Sequence, residues 1–271
     1  MKQNYLSEVI YQIFALIVVV ILVHATYVAV IRPNADFIQQ QQTALQEADE
    51  SYVAERSLYI ILRDIEQETC IILMLWALTL IGMKTRRTLQ ERALLDRELL
   101  QVSDGISILP DDARQFARPV QALPDNERFY LLPRALLAGL HRFGSTRSIQ
   151  DASDTIKDIC NGESDRLDSE LSIVRYIAWA IPSIGFIGTV RGIGAALSQA
   201  HQAVSGDILG VTVSLGVAFN STFVALVTSI FLMFLLHQLL LLQDRLVLDT
   251  QAYCDEHLLR YLQVPEKDVL E

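Results

Sequence analysis

Four apolar runs of unequal length divide the 271 residues of the chain, and each predicts a helix. Residues 9–31 read VIYQIFALIVVVILVHATYVAVI, 23 positions without a formal charge. At about 1.5 Å rise per residue, about 20 such residues cross a hydrocarbon core of about 30 Å. The run is too long for the apolar part of a cleaved leader, and Glu8 interrupts a purely basic start, so an uncleaved spanning helix is expected. His24, toward its far end, reads as an interfacial or helix-packed residue, with a proton relay as the alternative. The second run, Cys70–Met83, has only 14 residues. Its flanks argue for a crossing: Thr69 costs little at an interface, and Lys84 can reach the headgroups. The third and fourth runs, 173–197 and 208–242, are separated by the short polar stretch SQAHQAVSGD and should be antiparallel neighbours. At 35 residues the fourth would be roughly 50 Å long, more than a bilayer needs, so its end should project into water.

The polar segments set the expected organisation. Residues 32–69 should be mostly helical after Pro33, and they carry three arginines against eight acids. Residues 84–97 carry five basic residues against two acids. By the positive-inside rule this puts the acidic segment outside and residues 84–172 in the cytoplasm. Pro110, Pro119, Pro124 and Pro133 should cut that insertion into short helices. The stretch from Gln243 onward can continue the fourth helix, with Leu246, Tyr253, His257 and Tyr261 on one packing face. The reading is an all-α polytopic protein with about four transmembrane helices and a helical cytoplasmic domain. Its expected parts are a first span at 1–31, an extracytoplasmic acidic helical loop at 32–69 and a second span at 70–83. A cytoplasmic domain at 84–172, a two-helix core at 173–242 and a cytoplasmic C-terminal helix at 243–271 complete it.

The two inner helices depart from the composition of plain anchors. On the third, Gly185, Gly188, Gly192 and Ala196 recur at spacings of three and four, and Gly188 and Gly192 form a GxxxG pair. Such a face lets another backbone approach closely. Pro182 should free a carbonyl one turn back, which then needs another partner. Thr189 lies beside the glycine face. Arg191 is the odd residue there, a charge six residues before Leu197. It can anchor at an interface, pair with Asp207, or meet a partner on an ion path. On the fourth helix, Ser214, Ala218, Ser221, Ala225 and Thr228 form a matching stripe, broadened by Thr222 and Ser229, with Asn220 as a strongly polar group at span depth. The stripe can serve as helix–helix glue, or as a smooth, mildly polar surface for water or a moving helix.

Composition narrows the function. A net charge of −10 argues against a nucleic-acid binder. Cys70, Cys160 and Cys254 form no CxxC pair, which supports neither a disulfide framework nor a zinc site. No nucleophile signature, phosphate loop or metal cluster emerges, so an enzyme is not expected, and neither is a metal or other cofactor. No Asp, Glu or Lys falls within the four runs as drawn. If protons cross here, the titrating carboxylate should belong to another polypeptide.

The segments IPSIGFIGTVRGIGAA (181–196) and SLGVAFNSTFVALVTS (214–229) resemble the MotA/TolQ/ExbB proton-channel family. There a proline precedes a GLLGTVxGI-like motif on one pore helix, and a second pore helix follows. The likeness covers roughly residues 173–240. Four spans are closer to the MotA flagellar-stator layout than to three-span ExbB and TolQ. The resemblance implies that the last two helices line a pore. It implies a pentameric ring of such chains in the bacterial inner membrane, with both termini cytoplasmic. The ring would surround smaller single-span partners of the MotB/TolR/ExbD kind, whose transmembrane Asp carries protons that drive rotation. Thr189 matches the family's pore threonine. The second family threonine aligns with Ala218, with Thr222 one turn later as a substitute. Arg191 stands where TolQ and ExbB carry an aromatic residue. Ser214, Ala218, Asn220, Ser221 and Thr222 are thus candidates, with Thr189, for the ion path, and Pro182, Gly185, Gly188 and Gly192 for helix packing. The alternative is a non-conducting membrane scaffold or sensor.

Overall fold

The computed structural model describes residues 2–48, 57–100, 107–204 and 208–265. Among these the chain is helical, with no strand and only one isolated bridge, between Ile108 and Leu262. Four helices are long and apolar enough to cross a membrane. The helices are α1 (Lys2–Thr26), α2 (Arg32–Ala48), α3 (Leu58–Ile61), α4 (Ile65–Arg92), α5 (Ala113–Gln121), α6 (Asp125–Arg128), α7 (Leu131–Thr146), α8 (Ile149–Glu170), α9 (Ser172–Ser198), α10 (Ala200–Val204) and α11 (Leu209–His257). They form two compact units, one of residues 1–82 and 173–236, the other of residues 83–172 and 237–271.

In the first unit α1 does not stop where its apolar run ends. A π-turn, Tyr27–Ile31, joins it to α2, and the Arg32 N–H donates to the Tyr27 carbonyl. The cause is Pro33, which lacks an N–H and crowds the carbonyl four residues back; the wider turn absorbs the defect without breaking the helix. Val19, Val23 and Tyr27 pack against Ile71, Ile72 and Leu75 of α4. The Trp76 indole donates to the Gln12 carbonyl at 3.0 Å, fixing the register of this pair. Many apolar side chains of α1, α9 and α11 stay exposed, among them Phe14, Trp179, Phe186, Phe219 and Ile230. A helix that is apolar all round is what a bilayer solvates.

The second apolar helix is longer than its run: α4 starts at Ile65, five residues before Cys70, and ends at Arg92. Glu66 and Glu68 occupy its first turn, where carboxylates favour the positive end of the helix dipole. The sequence assigned them to a loop because charge there outweighs hydropathy. The acid-free inventory therefore holds for the apolar run but not for the helix that carries it.

The second unit has its own core. Leu136, Leu140 and Phe143 of α7, Ala152, Ile156 and Cys160 of α8, and Cys254 of α11 are essentially fully buried. The turn between α7 and α8 is tight: Arg147 takes a left-handed conformation at φ 54°, and the Ser148 hydroxyl caps α8 by accepting from the Asp151 N–H at 3.2 Å. Leu246 and Tyr253, on the expected face of the last helix, are buried, and the Tyr253 ring lies 4.4 Å from that of His257. The Tyr253 hydroxyl donates to the Arg97 carbonyl and accepts from the Leu99 N–H, both at 3.1 Å. Inside the unit Glu163, 2% exposed, is held by Arg134 at 2.9 Å and by Arg166. Lys84 meets Glu170 at 2.8 Å.

Candidate functional site

The small-residue faces of α9 and α11 meet each other. Gly185, Gly188, Gly192 and Ala196 are all buried, and so are Ser214, Ala218, Ser221 and Ala225 opposite. A Cβ added at Gly192 would lie 2.6 Å from the Ala218 N, 2.7 Å from its Cβ and 2.8 Å from the Ser214 carbonyl. Gly188 sits against the Ser221 side chain, and Gly185 against that of Ala225. The backbones therefore touch through glycine, which is the use of a GxxxG face in a lipid-solvated helix. Pro182 also finds its expected compensation. The Ala178 carbonyl, which Pro182 cannot satisfy, accepts from the Ser229 hydroxyl at 3.2 Å.

At the edge of this seam lie two hydroxyls. Thr189 and Thr222 are half-buried, and their oxygens contact each other. The Thr189 hydroxyl also reaches the carbonyls of Gly185 and Ala218, each at 3.2 Å. That of Thr222 reaches the Gly185 carbonyl at 3.2 Å. Two hydroxyl protons thus serve a set of oxygens that can be bonded in more than one pattern. Either Thr189 donates to Thr222, or it donates to Ala218 and leaves Thr222 to Gly185. Such a cluster can hand a hydrogen bond from one oxygen to the next.

A third wall comes from the start of α4, which the sequence did not place here. Glu66 would lie within 3.2 Å of a Cβ at Gly188. The Gln67 amide donates to the Ser221 hydroxyl at 3.4 Å, and that hydroxyl in turn donates to the Val217 carbonyl at 2.8 Å. This assignment leaves the Gln67 Oε1, buried in a residue with 0% exposure, without a hydrogen-bond partner among the described residues. Asn220 is half-buried and, with Asp64, Arg63 and Gln39, lines a separate cavity of about 140 Å³.

Arg191 is held within the chain. Its Nε and Nη2 both contact the Glu66 carboxylate at 2.7 Å, a two-pronged pair, and Asp64 lies 3.6 Å away. Asp207, the sequence-based candidate partner, lies outside the described residues. Burial pushes the Asp64 carboxyl above the ordinary carboxylate range, against the pull of Arg191 and Arg63. Next to this pair Glu68, 5% exposed, takes Arg32 at 2.6 Å and His24 at 2.7 Å. His24, 57% exposed in its side chain, therefore has a defined carboxylate partner. Asp64, Glu66, Gln67 and Glu68 are the functional candidates that sequence reasoning missed. The available signal was the coincidence of an unexplained Arg191 with an acidic stretch at the edge of a neighbouring apolar run.

Comparison with known families gives one match: residues 130–252 fit the model of the MotA/TolQ/ExbB proton channel family. The matched region spans α7 to most of α11 and includes both faces of the seam. No curated protein and no solved structure matches the chain.

Proposed function

We propose that this chain is the proton-conducting subunit of a membrane motor or energy-transducing complex. The family supplies proton channel subunits of energy-transducing complexes, which work with a partner such as MotB, TolR or ExbD. The four apolar helices make the chain a multi-pass membrane protein. The observation that carries the proposal further is the oxygen cluster of Thr189 and Thr222 with the Gly185 and Ala218 carbonyls. It lies at a half-exposed edge of the seam, within reach of a helix or water outside the chain. In the proposed arrangement five chains form a ring in the inner membrane around single-span partners whose transmembrane Asp exchanges protons with this edge. Proton flow then turns the ring relative to its partners. Ser214, Ala218 and Ser221, buried in the seam, shape the path by setting helix spacing, and Asn220 lines a cavity beside it. Residues 84–172 and both termini are proposed to lie in the cytoplasm.

The test is proton flux in vesicles holding the chain and its co-purifying partner. Thr189→Val and Thr222→Val, which keep shape and remove hydroxyls, should cut the uncoupler-sensitive rate at least tenfold when combined. Unchanged flux would refute the path. A non-conducting scaffold is the second reading, favoured by how completely the glycine and serine faces are used up against each other. It requires that the reconstituted complex pass no protons at all.

A further inference from the structure

The second unit holds a groove of about 1250 Å³ between α5 and α7, floored by Thr155 and Ile159 of α8. Four arginines and a histidine line it, against a single acid, Asp111. In a chain of net charge −10 this is a local reversal of sign. Two of the arginines are already engaged: Arg134 by the buried Glu163 at 2.9 Å, and Arg142, loosely, by Asp151 at 3.9 Å. The other two, Arg114 and Arg118, are exposed and form no ion pair among the described residues. They stand four residues apart on α5, one turn of the same face. Like charges so placed destabilise a helix slightly rather than support it. An external anion would reverse that effect.

The form of the groove narrows the anion. Arg134 and His141 lie seven residues apart on α7, roughly 10 Å along the helix, facing the α5 pair. The polar lining therefore extends over a length that exceeds one phosphate, with the unpaired positive charge at Arg114 and Arg118. Between the walls the apolar lining open to a ligand is Leu137 and Ala138, both half-buried, with the buried Ala113, Ala117 and Leu140 beneath. Guanidinium groups bind phosphate through paired, planar hydrogen bonds, and an apolar strip takes a flat ring. The volume is somewhat above the usual range of about 300–1,000 Å³ for small-ligand sites, so a nucleotide-sized molecule enters with room for water.

We propose that this groove binds a nucleoside polyphosphate, with Arg114 and Arg118 on the phosphates and the apolar strip under the base. The proposal does not depend on proton conduction, because the groove lies wholly within the second unit. The experiment uses the full chain in detergent micelles and measures binding of ATP, inorganic pyrophosphate and adenosine by titration calorimetry at low salt. ATP should bind saturably, pyrophosphate more weakly, and adenosine not at all. The double variant Arg114→Gln/Arg118→Gln should weaken ATP at least tenfold, while Arg97→Gln, whose partner is Glu127 outside the groove, should leave it unchanged. Arg114 and Arg118 are exposed, so the variant should keep the wild-type circular dichroism and melting profile. Absence of saturable ATP binding would overturn the proposal, as would equal binding of adenosine or an unchanged affinity in the double variant. Displacement of ATP by polyglutamate at equal charge concentration would also overturn it, by assigning the groove to an acidic protein.

Discussion

Replacing Gly192 by alanine tests the seam where its closest contact is a backbone atom. The new Cβ would meet the Ala218 N at 2.6 Å, the Ala218 Cβ at 2.7 Å and the Ser214 carbonyl at 2.8 Å. Two of these are backbone atoms, which no rotamer change can move. Restoring ordinary contact requires α9 and α11 to part by roughly 0.7 Å, at a point where each also packs on its neighbours. Overpacking of this kind costs about 1–3 kcal/mol, and the better helix propensity of alanine returns at most about 1 kcal/mol. A net loss of about 1–2 kcal/mol is expected. Gly194, two residues on, has nothing within 4 Å of its would-be Cβ. Gly194→Ala should therefore be neutral or stabilising by up to about 1 kcal/mol. The assay is reversible unfolding of the purified chain in mixed micelles titrated with SDS. Partner substitutions sharpen it. Gly185→Ala should be largely rescued by Ala225→Gly, because the remaining contacts there are 3.2 and 3.3 Å. Gly192→Ala should be rescued only in part by Ala218→Gly, because the backbone contacts persist. If Gly192→Ala and Gly194→Ala unfold at the same SDS fraction, the close-contact reasoning is wrong.

Other parts of the molecule give independent tests. Arg191→Gln strands the Glu66 carboxylate, 7% exposed in its side chain, beside Asp64; a loss of about 2–3 kcal/mol is expected, below that of a fully buried pair because half of Arg191 faces outward. Glu66→Gln in the same background should cost little more, and a double-mutant cycle in the same SDS assay reads the coupling. Ser148→Ala removes the α8 cap and should lower stability by about 1 kcal/mol, seen as an earlier thermal transition of the second unit. The raised Asp64 carboxyl binds its proton more tightly in the folded chain than in the unfolded one. Its contribution therefore favours folding as pH falls through its folded value and is lost as pH rises above it. Asp64→Asn should flatten that part of the stability–pH curve, and an unchanged curve would remove Asp64 as its source.

The all-helical membrane character was legible because it rests on local pattern. Apolar runs of sufficient length have few other solutions, and the spacing of Gly185, Gly188 and Gly192 against Ser214, Ala218 and Ser221 is written in helical periodicity. Pro182 likewise announced a missing bond, and Ser229 supplies its partner. The start of α4 was not legible. Glu66 and Glu68 look like loop residues until Arg191, Arg32 and His24 arrive, from as far as 125 residues away in sequence. No periodicity encodes such a meeting. The groove was hidden for the same reason: Arg114 and Arg118 share a helix face in any reading, but only the packing of α5 on α7 sets them opposite Arg134 and His141.

The bond between Ser229 and the Ala178 carbonyl imposes an order on inheritance. While Pro182 is present, the hydroxyl has a task that no neighbouring amide can take over. A lineage that loses the serine first leaves a carbonyl stranded between two helices and is selected against. A lineage that loses the proline first restores the amide, frees the serine to drift, and closes the ladder of α9. The two positions, 47 residues apart, therefore form a one-way latch in sequence space. Among descendants of this chain, proline without the hydroxyl should be the rare combination.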